Sequence, residues 1–172
     1  MSALMKQAYD ILASTDSKEG HDAQQYISFT VGAGEYCVDI NAVREIKGWT
    51  PVTPLPNTDE YMLGVLNLRG VIVPIFDLRC RFNMGRTLAT PLHVVIVVVI
   101  GNRIIGILVD AVSDILTVEP ADVQPVPELD QRGDRRFLQA LLTHGEKMIA
   151  LLNLEQLFEL DPNLENMRGT AA

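Results

Sequence analysis

The sequence predicts an all-β chain with one short C-terminal helix, folded as two similar five-stranded barrels. Three observations predict it. The 172 residues are 48% apolar but only 6% aromatic, so the apolar content is mostly Val, Ile and Leu, which lean toward strands. The apolar runs are short and end at Gly-containing turns or proline clusters. The β series also occurs twice, in similar order, along one chain.

Residues 1–25 read as a tail, in which Ala3, Leu4, Ala8, Ile11 and Leu12 have the spacing of a weakly amphipathic helix. Strand character begins at Tyr26. Tyr26–Val31 and Glu35–Ile40 flank Gly32-Ala33-Gly34 and form a hairpin. Pro51, Pro54 and Pro56 mark a loop that neither a central strand nor a helix accommodates. Met62–Leu68 and Val71–Phe76 are joined by Arg69-Gly70, and Gly accepts the positive φ of so tight a connection. Apolar residues fall on both parities of Val71–Phe76, which predicts a strand covered on both faces. After a break at Arg86–Pro91 come Val94–Ile100, a Gly101-Asn102 turn and Ile104–Val109. Pro120, Pro125 and Pro127 mark a second loop, followed by the strand pair Phe137–Leu142 and Lys147–Leu152. Asn153 is placed to cap a closing helix over about 154–160, which Pro162 ends. The divisions are therefore a first barrel at about 26–86, a second at about 92–152, the closing helix within a domain ending at 162, and a tail at 163–172.

The repeat is explicit at an offset of 69, which lays Ile40–Ile46 over Val109–Ile115 with Ala, Val and Ile identical. Gly32 then falls on Gly101, and Pro51 on Pro120. Beyond the proline loops the offset is 76: Asp77 meets Asn153, and Leu78 meets Leu154. The repeat breaks where Asn67-Leu68-Arg69-Gly70 lies over Thr143-His144-Gly145-Glu146. The second half makes its turn without an Arg, so Arg69 and its neighbours are candidates for a task beyond folding.

Composition narrows the function. A net charge of -8 argues against nucleic acid, which demands a basic patch, and against an anionic membrane surface. The longest apolar run is the seven residues Val94–Ile100, whereas a membrane helix needs about 20. Met1–Ser14 lacks the apolar core of a signal peptide, so the expected location is cytoplasmic. Cys37 and Cys80 are expected to be buried, reduced thiols. His21, His93 and His144 have no second ligand at metal spacing. The glycine-rich turns lack the third Gly of a dinucleotide loop and the Lys of a phosphate loop. No nucleophile elbow occurs. Asp110 and Asp114 form a possible carboxylate pair, but they stand in the repeated block and read as structural. The expectation is a non-enzyme without cofactor or metal.

The run Gly64–Arg79, with the sequence GVLNLRGVIVPIFDLR, closely resembles the signature of the CheW chemotaxis coupling family. So do Val43-Arg44-Glu45-Ile46 and Gly106–Ile115. The first run alone also fits the regulatory domain of the CheA kinase or the front of a CheV-type protein. The chain is too short for that kinase and ends without a receiver domain. The resemblance spans about residues 24–160. It implies SH3-like five-stranded barrels and a non-catalytic adaptor that couples transmembrane chemoreceptors to the histidine kinase CheA. The protein would be cytoplasmic and recruited to membrane-associated receptor arrays. The partners implied are the kinase's regulatory domain and the receptor's cytoplasmic helical tip, the latter docking in an apolar groove near the junction of the barrels.

Carried over by motif, the protein-binding residues are Val43, Glu45, Ile46, Gly64, Asn67, Leu68, Arg69, Gly70 and Val71, with Val109 and Val112 in the second barrel. Arg69 matches the family's functionally sensitive Arg and Glu45 the acid of its Val-x-Glu-Ile. The two are expected to form a partly buried, charge-assisted pair, costly by about 1–3 kcal/mol to break from one side. The charged segment Gln131–Arg136 reads as variable surface. The alternatives are a sensor holding a small ligand between the barrels and a scaffold for a different signalling kinase.

Overall fold

In the computed structural model, residues 23–127 and 137–159 are described. The expected tail helix, the segment 131–136, residue 160 of the closing helix and the C-terminal tail lie outside them. Eleven strands are present among the described residues: β1 (Gln24–Val31), β2 (Gly34–Asp39), β3 (Val43–Gly48), β4 (Met62–Leu68), β5 (Val71–Asp77), β6 (Val94–Ile100), β7 (Arg103–Val109), β8 (Ala111–Val118), β9 (Val123–Gln124), β10 (Leu138–His144) and β11 (Lys147–Leu152). Two short helices follow β5 and β11: α1 (Leu78–Arg81) and α2 (Leu154–Glu159).

The strands form two sheets, ordered β8-β1-β2-β11-β10-β9 and β3-β6-β7-β5-β4. The all-β class, the paired barrels and the C-terminal helix are as the sequence predicts, with the two-residue β9 as a sixth strand in one sheet. Sheet membership, however, does not follow a division near 86–92. The five-stranded sheet is contiguous, from Val43 to Val109, while the other takes β1 and β2 from the start of the chain and β8–β11 from its end. The repeat supplies the reason. Each half consists of a hairpin followed by further strands, and each hairpin pairs with the other half's strands. Thus β1 pairs with β8 and β2 with β11, while β6 pairs with β3 and β7 with β5. Similar halves offer similar edges, so the exchange is reciprocal and the two orders superpose strand for strand.

The chain changes sheet at equivalent points of the repeat: the 3-10 turn Ile40–Ala42 between β2 and β3, and Asp110 between β7 and β8. Gly32 and Gly101, equivalent at the offset of 69, both turn their hairpins at positive φ, 59° and 61°. One core runs through both sheets. Phe29, Val38, Ile46, Phe76, Ile96 and Ile107 belong to the same buried cluster, so neither sheet's inner face is complete without the other. Arg81 of α1 stacks on Tyr61 and Phe137, its guanidinium 4.7 and 4.5 Å from the ring centroids. It also donates to the Leu157 carbonyl at 3.3 Å, clipping α1 to α2. Asn153 caps α2 as the sequence predicts, its Oδ1 accepting from the Gln156 N–H at 3.1 Å.

Candidate functional site

The β4–β5 turn carries the most informative surface. Arg69 and Gly70 both have positive φ, 53° and 88°, the signature of a type I′ turn. Asn67 braces it, its Oδ1 accepting from the Gly70 N–H at 2.8 Å. The left-handed region costs a non-glycine residue about 1 kcal/mol, so an Arg here is retained against its backbone preference. Its guanidinium is ion-paired with the Glu45 carboxylate on β3. β3 and β4 stand at opposite ends of the five-strand order, so the pair bridges the two edges of that sheet. Arg69's side chain is 77% exposed and Glu45's 20%. This corrects the expectation of a partly buried pair: so exposed a bridge contributes about 0–1 kcal/mol to stability.

Immediately after the turn, Val71 and Ile72 are 47% and 57% exposed. Coverage on both faces therefore starts only at Val73. Glu45, Asn67, Arg69, Gly70 and Val71 share this surface, with Leu68 half-buried beneath it against the outer cluster that contains Val73 and Val97. The other expected residues face inward. Val43, Ile46, Val109 and Val112 lie in the central core. Gly64 is buried at φ 150°, and a Cβ there would stand 2.3 Å from the Thr53 carbonyl oxygen. That close approach comes from the proline loop, where Thr53 pairs with Val65 on the outer edge of β4. These five residues shape the barrels and present no side chain to a partner. Ile72 is the surface residue that motif reasoning missed; an apolar side chain directly after a two-residue turn was its signal.

A second polar cluster sits where the chain changes sheet. Asp110 Oδ2 accepts from Arg79 Nη2 at 2.9 Å and from the Gly32 N–H at 2.8 Å, and the Asp110 N–H donates to the Thr30 carbonyl at 2.9 Å. The carboxylate thus ties α1 to the β1–β2 turn of the other sheet. Asp114 takes no part; its Oδ1 accepts from the Ile115 N–H at 2.7 Å. The two acids do not form a working pair.

Between the sheets lies an open cleft of about 490 Å3, lined by Tyr26, Asp39, Ala42, Ile100, Leu152 and Leu154 among others. Its lining is mixed: Val99, Ile100, Leu151, Leu152 and Leu154 are aliphatic, while Gln24, Gln139 and Asn153 are polar and Asp39 and Glu155 acidic. Both cysteines are free; Cys37 is buried and Cys80 half-buried, the latter less sheltered than expected. Burial pushes the Cys37 thiol up to about 12. Burial also raises Cys80, with Asp77 and Glu60 adding to it and Arg86 opposing. Among the described residues no group of three or more His, Cys, Asp or Glu is arranged to hold a metal ion. None of the described helices is long and apolar enough to cross a membrane.

A CheW-like domain model matches residues 25–161. The chain is 47% identical over 135 residues to the "Probable chemotaxis protein CheW" of Rhizobium etli, covering 78% of this chain and 87% of that protein. It is 42% identical over 134 residues to the chemotaxis protein CheW of Klebsiella aerogenes, covering 78% and 81%. Among solved structures it resembles the scaffolding protein TtCheW from Thermoanaerobacter tengcongensis, with a TM-score of 0.75 and 30% identity over 80% of this chain and 94% of that one. The reciprocal hairpins, the Arg-Gly turn and these matches have one common account: the chain belongs to the CheW family of chemotaxis scaffold proteins.

Proposed function

We propose that this protein is a non-catalytic adaptor, coupling the cytoplasmic tips of transmembrane chemoreceptors to a CheA-type histidine kinase. It would work in the cytoplasm and be held at membrane-associated receptor arrays by its partners. The observation that carries the reading is the solvent-facing Arg69–Glu45 pair beside exposed Val71 and Ile72. Exposed aliphatics next to a fixed charge pair make a protein-binding patch: the apolar part supplies area and the charges set register. A kinase regulatory domain built from similar barrels has edges and faces to match. The inter-sheet cleft, lined by aliphatic side chains together with polar and acidic ones, is the concave surface we assign to an amphipathic helical hairpin. Contacts of this size are modest individually and gain strength by repetition in an array.

The test is titration of the purified chain with the regulatory domain of its cognate kinase and, separately, with a receptor-tip fragment. Saturable binding of both is expected. Arg69→Ala or Glu45→Ala should weaken the kinase contact at least several-fold in a folded protein. Unchanged kinase binding in both variants would remove that surface from the kinase interface. Absence of binding to either partner, with all proteins folded, would overturn the adaptor reading.

A further inference from the structure

The segment between α1 and β6, residues 82–93, leaves α1 through backbone bonds from Phe82, Asn83 and Met84 and then forms a strap with two further anchors. At its middle the Thr87 N–H and hydroxyl bond to the buried Asp77 carboxylate at 2.7 and 2.6 Å. At its end the Trp49 N–H donates to the His93 carbonyl at 2.9 Å, and the His93 N–H to the Thr90 carbonyl at 3.0 Å. Thr90 also caps the turn, its Oγ1 accepting from the Leu92 N–H at 3.3 Å. Between these anchors Leu88 and Leu92 point to solvent, 88% and 86% exposed.

The imidazole of His93 closes the second anchor. The Thr90 N–H donates to Nδ1 at 3.0 Å. A backbone N–H only donates, so Nδ1 must present its lone pair, and the proton of the neutral ring sits on Nε2. Nε2 lies 3.7 Å from Asp110 Oδ1. That oxygen is buried and accepts no hydrogen bond, because Arg79 and Gly32 both bond to Oδ2. The charged groups placed against the ring are the Asp110 carboxylate and, across it, the Arg79 guanidinium; Trp49, the residue after β3, bonds to the His93 backbone carbonyl and not to the ring. A second proton on the ring has two consequences. Nδ1 turns from acceptor to donor, which sets it against the Thr90 N–H and leaves Thr90 Oγ1, 3.0 Å away, as its acceptor. Nε2 becomes a charged donor facing the unused oxygen of Asp110.

We propose that His93 is a proton-operated latch on this strap. Neutral, it holds Thr90 and fixes Leu88 and Leu92 in one presentation. Protonated, it releases the Thr90 N–H and swings its allegiance to Asp110, so that the two leucines are displayed differently.

The experiment is residue-resolved NMR of the 15N-labelled full chain between pH 8 and pH 5. The Thr90 and Leu92 amide resonances are expected to move along one shared titration curve, with the Thr90 protection factor falling several-fold. The Thr87 amide, held by Asp77, should stay still. His93→Asn places a non-titrating oxygen where Nδ1 stands and should abolish the movement. Asp110→Asn removes the carboxylate that faces Nε2 and should shrink the movement. Flat Thr90 and Leu92 resonances in the wild-type protein, or an unchanged response in His93→Asn, would overturn the latch. Should His93→Asn fail to fold, a movement of undiminished size in Asp110→Asn would overturn it.

Discussion

Asp77 and Asn153, 76 residues apart at equivalent positions of the repeat, each cap the short helix that ends their half of the chain. Asp77 accepts from the Cys80 N–H at 3.4 Å, and Asn153 from the Gln156 N–H at 3.1 Å. The two caps are unequal, because Asp77 is fully buried and also holds Thr87. Asp77→Ala strands two half-buried Thr87 donors as well as an uncapped turn and is expected to cost about 2–3 kcal/mol. Asn153→Ala should cost about 0.5–1 kcal/mol. Urea denaturation of both variants checks the ranking, and equal losses would show that the Thr87 bonds contribute nothing.

Gly64 and Gly70 separate close approach from mere conformation. Gly64→Ala drives a Cβ into the Thr53 carbonyl at φ 150°, and a loss of at least about 2 kcal/mol follows, since backbone must shift. Gly70→Ala meets open space at φ 88° and should cost only about 1 kcal/mol. Thermal melts of the two proteins measure the difference.

Arg69→Gly removes a positive-φ cost of about 1 kcal/mol together with an exposed ion pair of similar or smaller worth. Its stability should match the parent within about 1 kcal/mol. Kinase binding, measured by calorimetry on the same preparation, should nevertheless weaken. A variant that loses binding only by unfolding would show instead that the turn is structural.

Cys37 gives a pH dependence. Its thiol is pushed up to about 12 from the ordinary 9.0, first by burial and then by the Glu35 charge. The unfolded chain ionises first, so this contribution to stability is complete below about pH 9 and declines as pH rises toward 12. Denaturation midpoints should fall across that window, less steeply in Cys37→Ala. At pH 8 a thiol reagent should modify half-buried Cys80 in the native protein and reach Cys37 only on unfolding.

The hairpins were legible because their signals are local: an apolar run, a glycine able to take positive φ, and a second run. β3 and β8 were visible only as a repeated block, because Arg44, Glu45, Ser113 and Asp114 interrupt any alternation. α1 is too short to show a helical period. The exchange of hairpins between halves could not be read, since it is a choice between two similar sets of edges made by long-range pairing. At the site, the motif paired Arg69 with Glu45, but its exposure depends on where the hairpin tip ends up. The same limit applied to Gly64, whose requirement comes from Thr53 on a loop that no local pattern places against β4. His93 looked like an isolated strand-start histidine because its partners, Thr90 aside, are Trp49 just after β3 and Asp110 at the sheet crossover.

The contiguity of the five-stranded sheet has a consequence for synthesis on the ribosome. Residues 43–109 carry every strand of that sheet, so it is complete in sequence once β7 has emerged. The β1–β2 hairpin leaves the tunnel first, yet its strand partners, β8 and β11, extend to residue 152. At about 5–20 residues per second the stretch from Asp39 to Leu152 takes roughly 6–23 s. Until then the hairpin carries Ile27, Phe29 and Val38 without the full set of strands that will flank them. The nascent protein's exposure to chaperones and to neighbouring chains is therefore concentrated at the β1–β2 hairpin.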